Sequence, residues 1–242
     1  MYEPFLPLLA FLLGLFSGFI GGMATGSGLI SIPGLMFLGL PPSTAIATNN
    51  LNIASSLTSA ARYYKDSAIN TRFVVTLLAV SFLGSLFGAR ILLAVNVVLM
   101  QKLFGAVCIV LAILIRANKR IRRTGTGLQI IAPALIFLAD VFAGMFGTGG
   151  GLLMIYILSY FYDMPLRKAN ANSKLIALGG TTAAILVFAR AGVINLVAGV
   201  PLMIGSAIGG YIGAHTALKK EEKLVRNLLA VVAIASGIKL LV

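Results

Sequence analysis

The feature that most constrains this chain is a succession of apolar runs, most of them close to twenty residues, with the basic residues clustered between them. The runs lie at 4–22, 29–40, 43–61, 73–95, 97–115, 128–147, 151–162, 172–189, 193–216 and 225–242. A helix needs about 20 residues to cross a bilayer, because each residue rises 1.5 Å. Only 10% of the 242 residues are charged and the mean hydropathy is +1.02, too little polar surface to cover a globule in water. The solvent is therefore lipid. The net charge of +13 does not point to nucleic acid, since the basic residues sit in clusters between apolar runs, as topology determinants do. The single cysteine, Cys108, and the single histidine, His215, offer neither an intramolecular disulfide nor a metal cluster. No metal or other cofactor is expected. Residues 1–20 lack the basic start of a cleavable signal peptide.

Two of the runs, 29–40 and 151–162, are too short to cross upright, and each follows a glycine cluster. The first cluster reads "GFIGGMATGSGLI" and the second "GMFGTGGGLL". Glycine inside a helix costs about 1 kcal/mol relative to alanine, so the clusters mark places where the chain turns. Backbone can turn within a membrane only where it lines a protein cavity. The short runs are expected to be the return arms of hairpins that turn at depth.

The chain repeats itself. Shifted by 125, residues 69–90 match 194–215 at eight of 22 positions, including Ser81 with Ser206, Gly84 with Gly209 and Gly88 with Gly213. Shifted by 124, Ala45, Ala47, Leu51, Thr58 and Ala60 match Ala169, Ala171, Leu175, Thr182 and Ala184. The two glycine clusters align after a gap of two residues. The expected fold is an all-α integral membrane protein of two tandem copies, each with a glycine-broken helical hairpin plus three transmembrane helices. The first copy spans 1–118, a basic cytoplasmic linker 119–127, and the second copy 128–242. The basic residues decide the relation between copies. If the loops at 62–72, 116–123, 163–168 and 219–226 all face the cytoplasm, 14 of the 19 Lys and Arg lie inside. The copies are then inverted and both termini lie outside the inner membrane. Such duplications are a signature of secondary transporters.

"TGSGL" and "TGGGL" would start the return helices, and a helix N-terminus is a natural anion site. The candidate substrate residues there are Thr25, Gly26, Ser27 and Gly28, and Thr148, Gly149, Gly150 and Gly151. Polar residues early in the next helix of each copy join them: Asn49, Asn50 and Asn52, and Asn172, Ser173 and Lys174. Asn and Ser offer both donors and acceptors to replace an anion's hydration shell; the competing use is helix capping or interhelical bonding. Lys174 would neutralise the anion or snorkel to the headgroups. Asp140, the one acidic residue within an expected span, is the candidate for proton coupling; the competing use is a structural ion pair or a carboxylate kept neutral. Arg90 and His215 occupy equivalent places and are gate candidates or interfacial anchors. Gly14, Gly18, Gly84, Gly88, Gly209 and Gly213 have the small-xxx-small spacing of close helix packing.

The elements "GFIGGMATGSGLISIPGL", "ATNNLNI", "GMFGTGGGLLMI", "ANANSKLIA" and "GSAIGGYIGAH", in this duplicated order, resemble the TauE/SafE family of sulfite exporters over almost the whole chain. The resemblance implies a transporter of a small sulfur-containing anion: sulfite, sulfoacetate or another organosulfonate. The partners expected are that anion and the lipid bilayer, with no nucleic acid; sequence sets neither the exact substrate nor the oligomeric state. A passive anion channel is the alternative. An intramembrane hydrolase is disfavoured: "TGSG" would need a facing histidine as base, and His215 sits near a helix end.

Overall fold

The computed structural model describes residues 3–23, 25–64, 71–96 and 128–217, with short pieces between 98 and 109 and single positions at 234 and 238. The basic linker, the loop at 219–226, Cys108 and most of the runs at 97–115 and 225–242 lie outside the described residues. Among those described, all regular structure is helical. Helix α1 covers Leu6–Met23, α2 Gly28–Phe37, α3 Pro42–Asn49, α4 Ile53–Tyr64 and α5 Thr71–Ala94. In the second half, α6 covers Ala132–Phe146, α7 Gly150–Phe161, α8 Leu166–Arg190 and α9 Leu196–Ala217. Five helices are long and apolar enough to cross a membrane: α1, α5, α6 with the turn before it, α8 and α9. The two short arms, α2 and α7, begin at the glycine clusters as expected.

Two boundaries differ from expectation. The run 43–61 is not one helix. It breaks at the tight 3₁₀ turn Asn50–Asn52, where asparagine side chains compete for the backbone: Asn50 Nδ2 donates to the Ile46 carbonyl at 2.9 Å. The second difference is at α8, which starts at Leu166, directly after Pro165, rather than at 172. Proline fixes its own φ and leaves an extended residue ahead of the first turn, which suits a helix start.

Glycine seams set how the helices run. Carbon atoms added at Gly14, Gly18 and Gly22 of α1 would stand 2.2, 2.5 and 2.3 Å from the carbonyl oxygens of Leu202, Ser206 and Gly210 of α9. Residue numbers rise together on both helices, so α1 and α9 run in the same direction. Carbon atoms added at Gly84 and Gly88 of α5 would stand 2.5 and 2.0 Å from the carbonyl oxygens of Phe137 and Val141 of α6, so α5 and α6 are also parallel. These contacts are too close for any side chain, so glycine is required by approach and not by turn geometry. Helix α4 follows α9, with Leu51 against Gly199 and Ser55 against Gly210. Helix α8 follows α5, with Gly179 on Leu78 and Gly180 on Ser81. Ala171, near the start of α8, is buried with Tyr63 and Ala214 at the ends of α4 and α9. Hence α1, α4 and α9 run one way, and α5, α6 and α8 run the other.

Candidate functional site

Each short arm begins at a left-handed glycine. Gly26 has φ 111° and Gly149 φ 86°, backbone that L side chains rarely adopt. Each glycine directly follows a threonine, Thr25 or Thr148. The chain thereby reverses in a few residues, and α2 folds back along α1, with Gly34 against Leu13 and Gly21 against Ser27. In α7 the same reversal brings Gly150 against Ala143 of α6.

The two tips touch. A Cβ on Gly28 would lie 2.7 Å from Thr148 Cβ and 2.8 Å from the Gly147 carbonyl oxygen, and one on Gly151 would lie 2.6 Å from Thr25 Cγ2. Each threonine therefore sits over the first turn of the other half's return arm. Thr25 Oγ1 and Thr148 Oγ1 are both buried with no hydrogen-bond partner among the described residues. Around them, the amide of Leu29 bonds the Gly26 carbonyl and that of Leu152 the Gly149 carbonyl. The amides ahead of these, on Ser27 and Gly28 and on Gly150 and Gly151, precede any intrahelical acceptor and remain donors by helix geometry.

Asn49 joins the halves. Its Nδ2 donates to the Gly147 carbonyl at 2.9 Å, where α6 ends in a left-handed cap with Gly147 at φ 66°. Its Oδ1 accepts from the Ser31 hydroxyl of α2 and from Asn52 Nδ2 at 3.0 Å. Asn52 Nδ2 also reaches Ser31 Oγ at 3.0 Å, while Asn52 Oδ1 is buried without a partner among the described residues. Lys174 makes the reciprocal tie: its Nζ donates to the Gly21 carbonyl in the last turn of α1 at 2.6 Å. It is 3% exposed and lies on a main-chain carbonyl in the protein interior, so snorkelling to the headgroups is overturned. Tyr63 OH donates to the next carbonyl, Gly22, at 3.1 Å.

Three other candidates spend hydrogen bonds locally. Asn50 Nδ2 bonds Ile46, Asn172 Nδ2 bonds the Lys168 carbonyl at 2.8 Å, and Ser173 Oγ bonds the Asn170 carbonyl at 2.9 Å. These are side-chain bonds to a carbonyl one turn back, neither caps nor ties between helices. Asp140 lies apart, in the seam between α5, α6 and α8. It is 3% exposed, hydrogen-bonded to Ser81, and has Oδ2 unpartnered among the described residues. Ser81 Oγ also accepts the Gly180 N–H at 3.1 Å. Arg90 and His215 are both exposed; Arg90 shares a groove with Arg190 whose lining includes no tip residue.

Sequence reasoning missed Ser31 and Ser81. Ser31 stands three residues after Gly28, one turn into the return arm and on its face, which is the signal that places it beside the tip. Ser81 was visible only as half of a repeat match with Ser206.

The sulfite exporter TauE/SafE family model matches residues 10–240. The chain belongs to this family. It is 27% identical, over its whole length and 91% of the relative, to the "Probable membrane transporter protein YfcA" of Escherichia coli K12. A Haemophilus influenzae "Probable membrane transporter protein" is also 27% identical, over 92% of this chain and 89% of the relative. The "Probable membrane transporter protein YunE" of Bacillus subtilis is 25% identical, with 95% of each covered. No solved structure matches significantly. This TauE/SafE protein is thus a multi-pass membrane transporter.

Proposed function

We propose that the chain is a secondary transporter that moves a small oxyanion, of the sulfite or organosulfonate class, by alternating access. The observation that carries this reading is the meeting of the two tips: two buried threonine hydroxyls without partners among the described residues, each beside the first turn of the other half's return arm. Donors without acceptors in a water-poor site favour an anion. The substrate-contact residues in this reading are Thr25, Gly26, Ser27 and Gly28 with Thr148, Gly149, Gly150 and Gly151. Asn49, Asn52 and Ser31 hold the second tip, and Lys174 on the Gly21 carbonyl supplies positive charge at the first. Asn50, Asn172 and Ser173 keep the helix starts in shape. Asp140, with one oxygen unpartnered, carries the coupling proton.

The two copies, 1–118 and 128–242 with the linker between, are read as inverted, in an inner membrane with both termini outside. The opposed directions of α1, α4 and α9 against α5, α6 and α8 support this, as does the exchange of partners, in which α1 packs on α9 and α6 on α5. Binding of sulfite, sulfate, thiosulfate, sulfoacetate and taurine to the purified protein tests the substrate class. One sulfur oxyanion or sulfonate should bind, and Thr25→Val with Thr148→Val should abolish that binding. Uphill accumulation in vesicles under a pH gradient separates a transporter from a channel, which would only equilibrate the anion.

A further inference from the structure

Arg90 and Arg190 line one groove from two helices that run in the same direction. Arg90 lies four residues before the end of α5, and Arg190 is the last residue of α8. Both line one groove of about 440 Å³, whose walls include Phe82, Leu86, Leu186 and Val187. Neither arginine has an acidic partner among the described residues, so the groove gathers two positive charges that no described carboxylate offsets. Like charges at the edge of a low-dielectric medium repel more strongly than in water. The arrangement is stable where an anion lies between them.

The walls say what kind of anion. The arginines stand toward one end of the groove, with only Leu93 and Ala191 of its lining beyond them. Phe82 is eight residues before Arg90, roughly 12 Å deeper along α5 at 1.5 Å per residue, and Leu186 and Val187 lie one turn below Arg190. Leu186 is 51% exposed, and Leu83 and Phe87 on the same stretch of α5 are each 52% exposed, so the groove opens to the bilayer and not to the protein interior. A cationic end and an apolar trough leading toward the membrane core match a molecule with an anionic head and a long hydrocarbon tail. A small hydrophilic anion would use the arginines and leave the trough bare. Guanidinium groups engage phosphate through paired hydrogen bonds.

We propose that the groove between α5 and α8 is a binding site for an anionic glycerophospholipid, its phosphate held between Arg90 and Arg190 and one acyl chain lying along Phe82, Leu86 and Leu186. The site is separate from the hairpin tips. A lipid seated there bridges the two helices that flank Asp140.

Native mass spectrometry of the full-length protein in detergent tests the proposal, with phosphatidylglycerol and phosphatidylcholine as probes. The wild-type protein should retain phosphatidylglycerol at least tenfold more tightly than phosphatidylcholine. Added salt should weaken phosphatidylglycerol alone, and excess inorganic phosphate should displace it poorly. The double variant Arg90→Gln/Arg190→Gln should lose the preference, whereas Arg90→Lys/Arg190→Lys should keep part of it. Equal retention of both lipids by the wild-type protein overturns the site without recourse to any variant. Ready displacement by inorganic phosphate assigns the arginines to a free anion and overturns the lipid reading. An unchanged preference in a glutamine double variant that elutes and melts like wild type removes the arginines from it.

Discussion

Asn49 and Lys174 do the same work in opposite halves. Each leaves a helix that follows a return arm and donates to a carbonyl at the end of the other half's outgoing arm, Gly147 for Asn49 and Gly21 for Lys174. A helix C-terminus carries partial negative charge, so an amide suffices at one end and an ammonium adds a full charge at the other. If Lys174 also neutralises the substrate, Lys174→Gln should weaken the bound oxyanion at least tenfold, about 1.4 kcal/mol, in calorimetry on folded protein. Lys174→Arg should restore only part, because the guanidinium is larger and planar. A lysine that only fastens α8 to α1 would leave the dissociation constant alone and lower the melting temperature. Asp140 calls for a different measurement. Asn at this position matches the shape of a protonated carboxyl but can take up no proton. Asp140→Asn should therefore abolish accumulation driven by a pH gradient while leaving downhill exchange of substrate. Loss of both processes in a well-folded variant would make Asp140 a packing group for Ser81 and Gly180.

At the scale of elements, the hairpins are where sequence reasoning reached furthest. Five glycines inside an apolar run told where the chain turns, and the short runs after them told which arms return. The close seams at Gly14, Gly18, Gly84 and Gly88 were likewise readable, because a four-residue glycine spacing has little use except helix approach. The break at Asn50–Asn52 was not readable. The matching segment of α8 carries a similar polar run and stays continuous, so the difference depends on tertiary bonds: Asn49 is drawn to Gly147 and Ser31, and the backbone tightens behind it. Asn172 and Ser173, candidate ligands by sequence, each also bond a carbonyl of their own helix, a local use that residue type alone does not reveal. The tips themselves can be tested by bulk. Gly28→Val would drive a side chain into Thr148 and the Gly147 carbonyl, and Gly150→Val into Ala143, 2.4 Å from the added carbon. Both should abolish transport, and Gly28→Val, which wedges the two halves apart at their meeting point, should do so with little loss of protein from the membrane. Uptake measured beside surface-accessible protein checks this, and normal uptake by both variants would return these glycines to simple packing.

For the whole molecule, the direction of the helices and the charge of the loops bear separately on the proposed inverted topology. The glycine seams fix α1 parallel to α9 and α5 parallel to α6 without reference to any charge. The basic loops, counted without reference to any contact, would put the end of α4 and the end of α9 on the cytoplasmic side and the end of α8 on the opposite side if the positive-inside rule holds here. Tyr63 and Ala214 at the first two ends, buried together with Ala171 near the start of α8, are consistent with that assignment, since all three then lie toward the cytoplasm. On the proposed inverted reading, α1 and α6, which would begin the two copies, enter the membrane from opposite faces. With a return arm and three crossings after each entry, residues 116–123 and 219–226 should be cytoplasmic and both termini outside. Single cysteines introduced at these places in a Cys108→Ala background, labelled from one side with a membrane-impermeant maleimide, measure this directly. Termini labelled in intact cells, with the linker labelled only after permeabilisation, are the expected pattern. A C-terminus labelled only after permeabilisation would leave the parallel packing of α1 with α9 intact and refute the inversion.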